Sequence, residues 1–382
     1  MLHKVNIMIK PNPFTPQSGW EPRVFGGREE ALSLFRSNLK ESLSARPNHL
    51  VVLGEWGIGK TSLLKQFRRM SQEAGRPACF CSISRFTKND KPLDAMYLIA
   101  EEMLMGFSRP NIDPEEFLSL FSKKKSLLQA QSQFAKFLLK LWQVLDAELA
   151  VVFLDDLQNI MPISNTIDIL RAVLSKDEIV QNTKFLFVLS STPGGWATFL
   201  DKHDPIGRFF RKRLTVENLN MGDAIDMVGK TLYDTGVEFD SAIKEKIFEY
   251  TNGHPYEVQL LSSHLYDGQI EGKVLAGAWE GALVNTLKEL GRDYFNSLLF
   301  RASDREKDLL KILAEENQPL SLKDFRGLMI VGRYAKKFPI ANIKNFLYRL
   351  EEKGIIGRDQ KANFDIPDRM FREFILRKET GK

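Results

Sequence analysis

Gly54-Glu55-Trp56-Gly57-Ile58-Gly59-Lys60-Thr61 carries the spacing G-x-x-x-x-G-K-[ST]. An apolar run, HLVVLG at 49–54, precedes it, and an amphipathic pattern, TSLLKQFRRM from 61, follows it. Strand, glycine loop, helix is the arrangement a polyphosphate requires. Several backbone N–H groups must converge on it, and only a tightly curved loop with little side-chain bulk supplies them. Gly54 and Gly59 permit that curvature, with Glu55, Trp56, Gly57 and Ile58 in the turn between them. The first amides of the helix, at Lys60, Thr61 and Ser62, add positive potential at the phosphates. Lys60 is placed to reach the β- and γ-phosphates, and the Thr61 hydroxyl to ligate Mg²⁺.

Further along, 151–156 reads VVFLDD, an apolar strand ending in acids. A carboxylate at the C-terminal edge of such a strand can hold magnesium beside a phosphate loop. Asp155 is therefore assigned, with Thr61, to the metal shell. Asp156 is the candidate for polarising the attacking water, with a helix N-cap as its other reading. The run KFLFVLSS at 184–191 ends in Ser190-Ser191-Thr192 on the same edge of a parallel sheet. A hydroxyl there could sense the γ-phosphate, position water or cap the next helix, and the residues do not choose among the three.

Apolar runs at 49–54, 78–84, 149–155, 184–191 and, more weakly, 213–216 are rich in Val, Ile, Leu and Phe and mostly lack alternation. Such runs fit strands buried on both faces. Helical patterns at 61–74, 92–106, 114–121, 126–145 and 167–174 lie between them, which predicts a doubly wound α/β domain. After about residue 218 the pattern turns helical, at 223–233, 241–250 and 257–265. From 301 it reads as helices at 303–315, 322–329 and 340–353, then two short strands around a polar tip in GIIGRDQKANFDIP. That order is the order of a winged helix-turn-helix.

The chain has 382 residues, 43% apolar and 27% charged, a balance that excludes a disordered or low-complexity chain. No apolar stretch approaches the roughly 20 residues of a membrane-spanning helix, so no membrane is expected. The start, MLHKVNIMIKPNPF, lacks the apolar core of a signal peptide, and the two cysteines, Cys79 and Cys81, have no metal or redox spacing. They read as reduced and buried in a cytoplasmic protein. The net charge of +5 is uneven. Residues 301–382 carry 19 Lys and Arg against 13 Asp and Glu, leaving 35 against 36 in the rest. A basic C-terminal part suggests an acidic partner for that end.

On these residues the chain resembles the P-loop ATPases of the AAA+/STAND group, and most of all the archaeal-type ATPases related to origin-recognition ATPases. Asn12-Pro13-Phe14 and Phe25-Gly26-Gly27-Arg28-Glu29 look like the group's F-x-GR-E segment, which implies that Arg28 lies beside the adenine. Gly253-His254-Pro255 looks like the G-x-P motif of the helical lid, which implies contact of Pro255 with the base or sugar. The resemblance implies a P-loop NTPase parallel sheet of the ASCE/AAA+ type over 1–218, a helical lid over 219–300 and a winged helix over 301–382. It also implies ATP with Mg²⁺ as the ligand pair. Arg208, Arg211 and Arg213 stand where group members often carry an arginine finger for a neighbouring subunit, which would make a nucleotide-dependent oligomer. Arg208 is the candidate, and a plain basic surface is the alternative. The chain departs from the origin-recognition pattern at Asp155-Asp156, where those ATPases have Asp-Glu. The Asp-Asp form resembles STAND proteins and implies slow turnover.

In a winged helix, 340–353 would be the recognition helix. Ile343, Phe346, Leu347 and Leu350, with Ile355 and Ile356, would face the core. Lys344, Arg349 and Lys353 would face out beside Arg333, Lys336 and Lys337, with Arg358 and Lys361 at the wing. Cations on one face fit phosphate contacts, while Glu351 and Glu352 on the same helix oppose them. Two readings follow: an ATPase whose nucleotide state controls a winged helix acting on double-stranded DNA, and a nucleotide-dependent signalling or scaffold switch that docks a protein. A metabolic kinase fits less well, since nothing resembles a phosphoryl-acceptor site.

Overall fold

The computed structural model describes residues 10–17, 21–107, 113–121, 127–203, 205–330 and 342–380. They divide into two compact units, Gly27–Asn218 in one and the chain up to Gly26 with Leu219 onward in the other.

In the first unit β1 (Leu50–Leu53), β2 (Ala78–Ser82), β3 (Ala150–Asp155), β4 (Phe185–Ser191) and β5 (Lys212–Thr215) form one sheet. The order is β2-β3-β4-β1-β5 and every pairing is parallel. Every residue of β3 and β4 is buried. This is why those runs read as continuous rather than alternating: helices cover both faces. β5 lies on the edge and alternates between half-buried and exposed, which accounts for its weaker signal. Leu53 pairs with both Ser191 and Thr215, so β1, β4 and β5 end together on one edge. The helix Lys60–Glu73 opens at that edge and buries Leu63, Leu64 and Phe67. Phe67 stacks on Phe35, ring centroids 4.1 Å apart, from the helix Glu29–Ser44. Cys79 and Cys81 are free and buried on β2.

His49 enters β1 from a pocket of aromatic rings formed by Phe187, Phe209 and Phe210. Its Nδ1 accepts a hydrogen bond from the Phe187 N–H at 3.1 Å, which requires an unprotonated Nδ1. Burial pushes its pKa down to about 4. An unfolded histidine titrates near 6.5, so between these values the unfolded chain binds a proton that the folded chain excludes. The stabilisation is complete above pH 6.5 and shrinks as the pH falls toward 4. At pH 5 this unit should have lost roughly 2 kcal/mol relative to pH 7. Urea unfolding at the two pH values measures it, and His49→Gln should flatten the difference. An unchanged slope in that variant would refute the assignment.

The second unit is helical. Met221–Leu232, Ser241–Thr251, Pro255–Asp267 and Ala278–Leu290 are followed by a wide turn, Gly291–Phe295, that runs into Asn296–Arg301. Asn220 and Asp240 cap the first two through their side chains. The N-terminal stretch packs here: Asn12 donates to the Ser263 carbonyl at 3.0 Å and to Asp267 at 2.8 Å, and Phe14 stacks on Phe239. Gly253 has φ +71, and a Cβ on it would lie 2.0 Å from the Leu219 carbonyl oxygen. The Leu219 N–H in turn donates to the Gly253 carbonyl at 2.9 Å.

From residue 301 the elements are Asp304–Glu316, Leu322–Ile330, Ile343–Glu352, the antiparallel pair β6 (Gly357–Arg358) and β7 (Phe364–Asp365), and a last helix, Arg369–Thr380. Leu320 bridges to Phe364 beside that pair. Ile343, Leu347, Leu350, Ile355 and Ile356 are buried, as the spacing predicts, while Phe346, expected with them, is half-buried. Arg333, Lys336 and Lys337, and the expected helix start at 340, lie outside the described residues. Among the described residues no helix is long and apolar enough to cross a membrane.

Candidate functional site

The loop 54–59 leaves β1 at the edge where β3 and β4 also end. The Gly54 N–H donates to the Ser191 carbonyl at 3.2 Å, and a Cβ at Gly54 would lie 2.6 Å from the Ile58 side chain. Gly59, at φ +90, is the N-cap of the helix Lys60–Glu73. A side chain is strained in that conformation, so the turn into the helix needs glycine. Lys60 is buried, and its ammonium donates to the Glu55 carbonyl at 2.9 Å. Burial lowers its pKa, against the opposing pull of Asp156, Asp155 and Glu55.

The Thr61 hydroxyl donates to Asp155 at 2.6 Å. The other Asp155 oxygen accepts from the Ser190 hydroxyl, whose oxygen accepts from the Asp156 N–H at 2.9 Å. Asp155 is buried, and burial raises its pKa against the two hydroxyl bonds that favour the ionised form. The first turn of the Lys60–Glu73 helix and the end of β3, 94 residues apart in sequence at Thr61 and Asp155, thus meet in one hydrogen-bonded chain.

Asp156 has φ 57 and stands at the N-cap of the short helix Leu157–Ile163 without capping its backbone N–H groups through its side chain. Its carboxylate instead accepts from the Gln158 amide at 2.9 Å. The three hydroxyls at the end of β4 separate by role. Ser190 braces Asp155, Thr192 caps the helix Pro193–Lys202 by accepting from Gly195 N–H at 3.1 Å, and Ser191 Oγ is buried with no hydrogen-bond partner among the described residues. Sequence reasoning could not separate them, because strand register decides which way each faces. Gln158 gave no signal at all.

Arg28 bonds backbone: its guanidinium donates to the Ile58 carbonyl at 3.2 Å and to the Glu217 carbonyl. Pro255 is the first residue of its helix in the second unit. Arg208, Arg211 and Arg213 are exposed around β5, and Arg211 Nε donates to the Arg208 carbonyl. Lys353, expected to face outward, pairs instead with buried Glu306 at 2.6 Å, where Glu306 closes a capping box with Ser303. Arg358 neutralises Glu351 at 3.1 Å, and Lys344 and Arg358 both lie over the Tyr348 ring.

Residues 24–186 match the family described as AAA ATPase domain. The match covers less than half of the chain; with the parallel sheet order it gives these residues a P-loop NTPase fold and supports ATPase activity. No curated protein sequence matches. Solved structures with a similar fold include the Walker-type ATPase PABY2304 of Pyrococcus abyssi, at 17% identity and TM-score 0.62, covering 92% of this chain and 96% of that one. The Aeropyrum pernix ORC2 protein, solved as ADPNP–ADP complexes, is similar at 13% identity and TM-score 0.65, covering 96% and 98%. The Aeropyrum pernix ORC1 protein in complex with DNA aligns at 14% identity and TM-score 0.51, covering 96% of each. The fold is therefore that of archaeal origin-recognition and Walker-type ATPases.

Proposed function

We propose that the protein binds ATP with Mg²⁺, hydrolyses it slowly, and uses its nucleotide state to control a C-terminal winged helix that acts on double-stranded DNA. The observation that carries the reading is the chain Thr61–Asp155–Ser190 beside Lys60. Asp155 and Thr61 offer hard oxygen donors 2.6 Å apart, the ligand type Mg²⁺ takes. Thr61 and Asp155 would hold the ion there, and it would offset negative charge developing on the phosphates. Lys60 adds a cation at the same phosphates. Asp156 orients the attacking water from a carboxylate one methylene shorter than glutamate and already engaged by Gln158. Steady-state phosphate release should therefore stay below about 10 s⁻¹ for the isolated protein. A rate well above that refutes slow turnover.

For the C-terminal part, three helices followed by the β6–β7 pair support the winged-helix reading. Glu257, near the start of the Pro255–Asp267 helix, and Asp368, which caps Arg369–Thr380, are hydrogen-bonded carboxyls. Burial raises both pKa values, Asp368 to about 6, and the two carboxyls link the Pro255 helix to the start of the last helix. Lys344 and Arg358 supply cations at Tyr348, Arg349 lies over Phe346, Lys361 is exposed between β6 and β7, and Arg358 removes the repulsion expected from Glu351. Such a face gives salt-dependent, sequence-tolerant contacts to phosphates. Duplex DNA binding should weaken with salt, and Lys344→Glu with Arg349→Glu should reduce the log–log salt slope by roughly 2. Absent or salt-insensitive binding would favour docking of a protein at this face. Arg208 as a finger to a second copy, and Pro255 against the base, belong to the same proposal. A nucleotide-dependent rise in mass, lost in Arg208→Ala, tests the former.

A further inference from the structure

Three separate pieces of chain are stitched together beside the phosphate loop. Arg28 holds the Ile58 carbonyl in the loop and the Glu217 carbonyl just past β5. The Val216 N–H donates to the Leu53 carbonyl at 2.7 Å, and the Val216 carbonyl oxygen lies against Gly54, 3.2 Å from where a Cβ would stand. Glu217 is the last residue but one of its unit, and the second unit begins at Leu219. Arg28 itself sits at φ 70, a conformation that side-chain-bearing residues rarely take, at the N-cap of Glu29–Ser44. This places the guanidinium between the loop and the exit segment. A guanidinium is a planar fork that donates from two nitrogens at fixed separation, so it transmits a displacement of one acceptor to the other. An ammonium on a flexible stem does not.

We infer that Arg28 is a positioning residue that couples the conformation of the phosphate loop to the segment 216–218 through which the chain leaves the α/β unit. It reads the loop through the Ile58 carbonyl and passes the change to the Glu217 carbonyl, and it does not touch the nucleotide. The inference rests on the reading of the loop as a nucleotide site.

The test is hydrogen exchange on the full chain, wild type, Arg28→Ala and Arg28→Lys, with and without Mg-ATP, alongside calorimetry of Mg-ATP binding. In the wild type, Mg-ATP should slow exchange both in 55–61 and in 216–220. In Arg28→Ala, saturating Mg-ATP should still protect 55–61, while the response at 216–220 disappears. Arg28→Lys, which keeps a cation but not the fork, should lose the same response, and it serves if the alanine variant does not fold. Folded variants that no longer bind Mg-ATP would make Arg28 a ligand and overturn the inference. So would a response at 216–220 that survives both substitutions. If the wild type itself takes up no nucleotide, the nucleotide reading fails and the coupling is judged without ligand. Loss of the fork must then raise exchange in 55–59 and 216–218 together by about tenfold, and a rise in one alone overturns it.

Discussion

Lys60→Ala is expected to reduce ATP turnover by about 10²–10³-fold, the cost of deleting one preorganised electrostatic donor, and to weaken Mg-ATP binding with it. The ammonium is buried at the mouth of the Lys60–Glu73 helix and held by the Glu55 carbonyl, so it is positioned before any phosphate arrives. Burial works against its charge, and Asp156, Asp155 and Glu55 work for it. Alanine removes both the cation and its desolvation cost, so the fold should not suffer. Lys60→Arg should rescue little, because a planar fork does not match the geometry of a point donor. Phosphate release and the fluorescence of Trp56 during a Mg-ATP titration read the two effects. Wild-type turnover in Lys60→Ala would remove the basis for the assigned site.

Asp155→Asn separates function from stability by giving them opposite signs. Asparagine keeps the shape, accepts one hydroxyl bond and can donate to the other hydroxyl oxygen, so Thr61 and Ser190 retain partners. It removes the charge that would hold Mg²⁺, and turnover should fall by roughly 10²–10³-fold. The folded pKa of Asp155 is raised, chiefly by burial. An acid raised in this way gives its full stabilisation only below its unfolded pKa and loses it as the pH rises through the folded value. At pH 7 the ionised group therefore costs stability, and the ligand-free Asn variant should melt higher than the wild type. A lower melting temperature, or Mg²⁺-dependent turnover within tenfold of wild type, would contradict the assignment.

What could be read from the sequence follows how local each signal is. The phosphate loop is one contiguous segment, and its strand and helix adjoin it, so Gly54 to Thr61 was legible entire. β3 and β4 were legible because both faces are buried. The helix Glu29–Ser44 was not anticipated, although Leu32, Phe35 and Leu39 fall at helical spacing and are buried. The last helix, Arg369–Thr380, was missed as well, since the expected order ended at the hairpin. Apart from Thr61 and Asp155, which their motifs bring together, pairings between distant residues left no trace. Lys353 meets Glu306 across 47 positions, and nothing in either segment announces it. Arg28 matched a segment that the resemblance puts beside the base, and nothing in the sequence hinted at its bonds to the Ile58 and Glu217 main-chain oxygens.

The glycine of the Gly253-His254-Pro255 stretch has an explanation that involves no ligand. Its missing side chain lets two stretches of main chain touch, with Leu219 seated where a methyl group would be. A substitution there would dislodge the residue on which the chain enters its helical part. An inactive Gly253 variant would accordingly be an ambiguous witness, and only binding measured apart from misassembly could credit that stretch with recognising a base.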